Sequence, residues 1–200
     1  MHGQAGLWRH WNRMKEIEFQ DVMVELINSK LDKFKFICKR GEPVLYELKV
    51  DEELNVIGNP KKPSKGHGAF ETDVGIFALK GNFEVPFIII EVKEQISSHD
   101  IITYSNKASR HKLVYPYLRY GLVAYDLNSI PNRFFKHNEE IDFFLAVRDY
   151  INDKNKLRKV LFELIENELK IFEGLQQILH NQSKSNFYQN IPTLKNFELK

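Results

Sequence analysis

Apolar residues at Phe19, Val22, Met23, Leu26, Ile27 and Leu31 recur at helical spacing and predict an amphipathic helix over 15–33. The period then shortens. Lys35–Cys38 and Pro43–Val50 read as strands broken by Arg40-Gly-Glu42, and the Gly- and Pro-rich stretch from Gly58 to Gly68 reads as a loop. Glu71–Leu79 and Val85–Val92 predict two further strands joined by a turn at Lys80-Gly-Asn82. Ser97 and Ser98 can cap a helix running to about Tyr115, where Pro116 helps to end it. Tyr120–Tyr125 is another short apolar strand, so the strand–helix–strand spacing suggests a right-handed parallel crossover. Arg133–Phe135 and Phe143–Val147 are apolar but too short to assign. A helix over 156–180 carries a wide stripe including Leu157, Leu161, Leu164, Ile165, Phe172 and Leu179. The stretch before Met14 shows no period and reads as a tail or as residues ahead of the natural start; the last 18 residues read as an arm or frayed tail.

Two hundred residues suit one domain, and 42% hydrophobic residues suffice for a core. A net charge of +2 means that any basic surface for a polyanion must be local. The single cysteine, Cys38, excludes an internal disulfide framework and fits a reducing compartment. No apolar run approaches the ~20 residues of a membrane span, and the N-terminus lacks the layout of a secretory signal. The expectation is a single-domain cytoplasmic protein.

The chemistry concentrates between Glu71 and Lys93. If the two central strands form an antiparallel hairpin about Asn82, Asp73 and Glu91 fall opposite one another, and Glu71 falls opposite Lys93. Opposed side chains have Cβ atoms about 4.5–5.5 Å apart, close enough for two carboxylates to hold one hard cation. Alternation puts Glu91 and Lys93 on one face and Val92 on the other; a slip of one residue would undo the set. Phosphodiester hydrolysis needs a nucleophilic water and charge neutralisation at the phosphate, which carboxylate-held divalent ions supply. A neighbouring lysine can orient the water and stabilise the developing charge. Glu-x-Lys alone is weak here, since Glu47, Glu168 and Glu198 begin the same pattern. Only Glu91 follows an apolar strand with an acid-bearing strand at hairpin distance. The competing view is of two strands whose charged ends merely face solvent.

Glu71-Thr-Asp73-Val-Gly-Ile and Ile88-Ile-Ile-Glu91-Val-Lys93 resemble the PD-(D/E)XK nuclease superfamily, whose fold serves many type II restriction endonucleases, junction resolvases and repair nucleases. Asp73 matches the first acid, Glu91 the second and Lys93 the lysine; Thr72 stands where the proline of the family name would be. The resemblance implies an α/β fold with a restriction-endonuclease-like mixed β-sheet core (α-β-β-β-α-β) flanked by helices. That core would span 15–130, with 131–200 a helical extension of the same domain that packs on the core or forms a dimer contact. It further implies Mg²⁺, or Mn²⁺ in its place, bound by Asp73, Glu91 and the backbone carbonyl of Val92, and cleavage leaving 5′-phosphate ends.

Other residues have two readings each. Glu18, Asp21 and Glu25 offer an accessory metal acid from the first helix or a solvated face. Glu71 is an extra ligand or a partner of Lys93, and Gln95 a water or phosphate contact or a plain strand end. Lys107 and Arg110 would project together to hold phosphates, or form a charged helix face. Lys61, Lys62 and Lys65 make a DNA-contacting loop or a solubilising one. The leading function is a metal-dependent endodeoxyribonuclease on double-stranded DNA, a type II restriction endonuclease acting as a homodimer with a cognate methyltransferase encoded nearby. A Holliday-junction resolvase, or a mobile-element or repair nuclease, is the alternative within the class. A non-catalytic nucleic-acid-binding module, or an unrelated α/β binding protein with a coincidental motif, is the alternative outside it.

Overall fold

The computed structural model describes residues 14–32, 35–180 and 194. The expected N-terminal tail, and the C-terminal arm apart from Leu194, lie outside them. The chain opens with α1 (Glu16–Asn28), which buries Phe19, Met23, Leu26 and Ile27 along one stripe. It ends earlier than the apolar period because the Asn28 amide turns to β1 (Phe36–Arg40), accepting from the Cys38 N–H at 2.9 Å and donating to the Cys38 carbonyl at 2.8 Å. Four short strands follow: β2 (Pro43–Leu45), β3 (Lys49–Val50), β4 (Val56–Ile57) and β5 (Ala69–Glu71). Next come β6 (Val74–Lys80), β7 (Phe83–Lys93), α2 (Ser98–Val114), β8 (Arg119–Ala124), α3 (Asn132–His137), β9 (Phe143–Ala146) and α4 (Lys154–Leu179).

The main sheet has the order β1-β6-β7-β8-β9. β1, β6 and β7 are antiparallel neighbours, whereas β8 runs parallel to β7 through the α2 crossover and β9 parallel to β8. Ser97 caps α2 reciprocally: its hydroxyl accepts from the Asp100 N–H at 3.1 Å and the Asp100 carboxylate accepts from the Ser97 N–H at 2.8 Å. Alternation along the strands separates two cores. Ile76, Ile88, Ile90, Val92 and Val123 pack with α1 and α4, while Phe77, Ile89, Tyr120 and Leu122 pack with α2 and the β2–β5 pair.

Two expectations are corrected. Glu71–Leu79 is not one strand, because the chain switches sheets at Thr72. The Thr72 N–H and hydroxyl both donate to the Glu42 carbonyl at 3.0 Å, so β5 pairs with β2 and only β6 enters the main sheet. Glu71 therefore faces Pro43 rather than Lys93. Likewise Pro43–Val50 breaks into β2 and β3, and β3 pairs with β4 in a separate ribbon. The β6–β7 turn is the two-residue Gly81-Asn82, with Gly81 at φ 60. Its pairing of Lys80 with Phe83 would shift the far end of the hairpin by one position. A bulge beside Pro86, which lacks an N–H for the ladder, restores the offset and pairs Val74 with Ile90. Asp73, the next residue, thus comes level with Glu91.

The segments left unassigned by pattern become α3 and β9. β9 lies close against β8, where a Cβ on Gly121 would sit 2.0 Å from the Phe143 ring. The stripe of α4 is buried within the same chain through Leu157, Val160, Leu161, Leu164, Ile165 and Phe172. Arg119 adds a polar tie, donating to Glu168 of α4 at 2.7 Å and to Asp142 before β9 at 2.8 Å. Among the described residues no helix is long and apolar enough to cross a membrane.

Candidate active site

Asp73 leads into β6 and is fixed by the Val92 N–H, which donates to its Oδ2 at 2.8 Å. Glu91 points from β7 toward α2 and is only 3% exposed. The Tyr120 hydroxyl donates to its Oε1 at 2.5 Å, and the Lys107 ammonium lies 3.4 Å from the same oxygen. Burial pushes the Glu91 carboxyl up to about 7; the Asp73 carboxylate within hydrogen-bond reach adds to the rise, against the lowering effects of Lys107 and Tyr120. Val92 points into the opposite core.

Lys93 leaves the end of β7 half-buried, and its Nζ donates to both carboxylate oxygens of Glu16, at 2.9 and 3.1 Å. Burial alone would lower its affinity for a proton, but Glu16 and Tyr104 outweigh it and hold the amine above the ordinary lysine range. Lys93 is therefore a fixed positive charge at neutral pH. Lys93 and Lys107 both lie over the Tyr104 ring, 5.9 and 5.1 Å from its centroid.

The first helix contributes Glu16, an acid the sequence analysis passed over. The signal was present: Glu16 precedes Phe19 and Met23 by three and seven positions, which puts it on the buried stripe. Glu18 instead accepts from the Lys15 N–H at 3.1 Å, Asp21 pairs with Arg40 and Glu25 with Lys154. Tyr120 and Tyr104 were also passed over, because an aromatic in an apolar segment looks like core until its hydroxyl finds a carboxylate.

The remaining candidates disperse. Glu71 pairs with Lys65 at 3.1 Å, and Gln95 donates to Asp126 at 3.1 Å. Lys61 stacks over Phe83 at the turn end of β7, eight residues and roughly 26 Å of strand from Glu91. Lys62 is exposed in the same loop. Lys107 and Arg110 diverge: Lys107 turns in toward Glu91, while Arg110 lies outside, 5.8 Å from the Tyr46 ring.

Two adjoining carboxylates with a rigid backbone suit a hard divalent cation. Among the described residues no group of three or more His, Cys, Asp or Glu side chains forms a metal cluster. An ion here would draw on two carboxylates with backbone and water oxygens, the mode Mg²⁺ commonly adopts. The pairing of a buried, proton-retaining Glu91 with Asp73 fits such an ion, since a divalent charge relieves their repulsion.

No family model and no curated protein matches the chain. Among solved structures it is similar to the restriction endonuclease BsaWI in a pre-specific DNA complex, at 10% identity and a TM-score of 0.35, over 80% of this chain and 66% of that one. This chain thus spans just under two thirds of that structure's length.

Proposed function

We propose that this protein is a metal-dependent endodeoxyribonuclease of the PD-(D/E)XK type, acting on double-stranded DNA as a type II restriction endonuclease. The observation that carries this reading is the meeting of Asp73 and Glu91 at one end of the sheet with the fixed charge of Lys93 beside them. Asp73, Glu91 and the Val92 carbonyl would hold Mg²⁺, with Mn²⁺ as a substitute. When bound, the ion would lower the pKa of a water and offset charge on the scissile phosphate.

The chain's own groups have separable tasks. The Val92 N–H fixes Asp73, and Tyr120 orients Glu91. Glu16 steadies Lys93, whose ammonium is too basic to act as a general base and instead orients water and stabilises the charge that develops on phosphorus. Water adds to phosphorus as the bond to the 3′-oxygen breaks, leaving a 5′-phosphate and, after protonation by solvent, a 3′-hydroxyl. Two copies would bring two such centres to opposite strands, and a cognate methyltransferase would protect the host sites.

Incubation with unmethylated phage DNA and Mg²⁺ tests the proposal. Discrete bands support restriction, and a smear would mean an unspecific nuclease. DNA left intact, or cut equally by Asp73→Ala, removes the catalytic assignment.

A further inference from the structure

No residue of the β3–β4 ribbon belongs to either core. Val50 pairs with Val56, so their side chains share one face. Alternation adds Leu48, whose Cδ2 lies 3.0 Å from where a Cβ on the opposed Gly58 would sit. Leu48, Val50 and Val56 are 50%, 63% and 66% exposed, and Leu54 at the tip is 82% exposed. The tip is braced: Asp51 Oδ1 accepts from the Glu53 and Asn55 N–H groups at 3.0 and 2.8 Å. Leu54 is held there at φ 66, the one non-glycine residue at positive φ among the described residues. A two-stranded ribbon is marginal in water by itself, so an aliphatic face that its own chain leaves bare calls for a cover.

Charge along the ribbon says what that cover is. The tip carries Asp51, Glu52 and Glu53, and none of them pairs with a cation among the described residues. At the root, the Asn59–Lys62 turn follows β4 and carries Lys61 and Lys62, which pair with no carboxylate among the described residues; Lys61 lies over the Phe83 ring at 4.8 Å. Three acids at the leading end repel phosphates, which argues against a DNA groove as the occupant. The ribbon is instead complementary to itself. A two-fold axis lying between two such faces, across the strands, stacks them antiparallel and sets each acidic tip over the other's basic root. We propose that the protein forms a homodimer through this ribbon, Leu48, Val50 and Val56 packing on their counterparts and Glu52 and Glu53 of each copy meeting Lys61 and Lys62 of the other. The contact is isologous and closes at two copies. The face is smaller than a standard interface, so the dimer dissociates on the order of 10 µM. This inference rests on the ribbon's surface and is independent of the nuclease reading.

Sedimentation equilibrium of the full chain, from well below to well above that constant, tests the contact. The mass of the wild-type protein should climb from one chain toward two, and Val50→Asp should stay at one; circular dichroism checks that each variant folds. Two charge-reversed proteins then test the arrangement. Glu52→Lys with Glu53→Lys makes tip and root both basic, and Lys61→Glu with Lys62→Glu makes both acidic. Each alone should dimerise at least about tenfold more weakly than wild type, whereas their equimolar mixture should pair as well as wild type does, because every tip then meets a root of opposite charge. A wild-type protein that remains a single chain throughout overturns the proposal, and if Val50→Asp then also weakens DNA binding, the face belongs to DNA. A dimer that survives in Val50→Asp overturns it too, and moves the contact elsewhere, such as the exposed end of α4. Charge-reversed proteins that dimerise alone as well as they do mixed overturn the antiparallel pairing of the ribbons.

Discussion

Glu91 shows most directly how single residues serve the site. A carboxyl that is 3% exposed and adjoins Asp73 holds its proton up to about pH 7. In the folded, metal-free chain its contribution to stability is present below the usual carboxylate range and is lost as the pH rises through about 7. A divalent ion that needs the ionised form should therefore stabilise the protein more at pH 8 than at pH 6, a difference readable as the Mg²⁺-induced rise in Tm. The rise should vanish in Asp73→Ala; equal rises at both pH values would dissociate metal binding from Glu91. Lys93→Ala should keep Mg²⁺ and DNA binding yet lose about 100-fold or more in single-turnover rate, because the ammonium acts on developing charge. Wild-type cutting by that variant would mean that Lys93 is misassigned. Much of this was legible in the sequence: strand alternation aligned Glu91 with Lys93 and turned Val92 away. The contacts of Glu16, Tyr104 and Tyr120 were not, since they depend on where helix ends and strand starts meet in space.

Between elements, the decisive features are junctions. The sheet switch at Thr72 is invisible to sequence pattern, because no Gly or Pro marks Glu71-Thr72-Asp73 while the hydrogen-bond partners change. The Pro86 bulge was equally hidden, yet it restores the offset that brings Asp73 level with Glu91. At the β8–β9 contact Gly121 is indispensable for space: Gly121→Ala forces a methyl into the buried Phe143 ring and should cost about 1–3 kcal/mol in urea unfolding. An unchanged midpoint would mean that β9 moves freely. A further junction is His111, fully buried on α2, whose Nδ1–H donates to the Leu45 carbonyl of β2 at 2.7 Å. Burial, with Lys107 nearby, lowers its pKa to about 4 despite that bond. The neutral ring's contribution to stability is present above about pH 6.5 and is lost as the pH falls toward 4. The stability advantage of wild type over His111→Leu should accordingly shrink between pH 7.5 and pH 5; a constant advantage would contradict the assignment.

At the scale of the whole molecule, the apolar stripe of α4 had two readings, a subunit contact or a cover for the sheet. The chain uses its inner side, Leu157 to Phe172, as cover, leaving Ile171, Ile178 and Leu179 exposed near its end. Helical periodicity could not separate these readings, because both bury the same residues. The proposed hydrolysis of DNA rests on the pair of carboxylates, Asp73 and Glu91, at one end of the central strands. The most direct measurement is the conversion of supercoiled plasmid in Mg²⁺ by purified wild-type protein, Asp73→Ala and Glu91→Gln, each with an EDTA control. Wild type should nick or linearise the plasmid only when Mg²⁺ is free, and both variants should leave it supercoiled. Conversion in EDTA, or by either variant at the wild-type rate, would contradict a metal-dependent centre at Asp73 and Glu91.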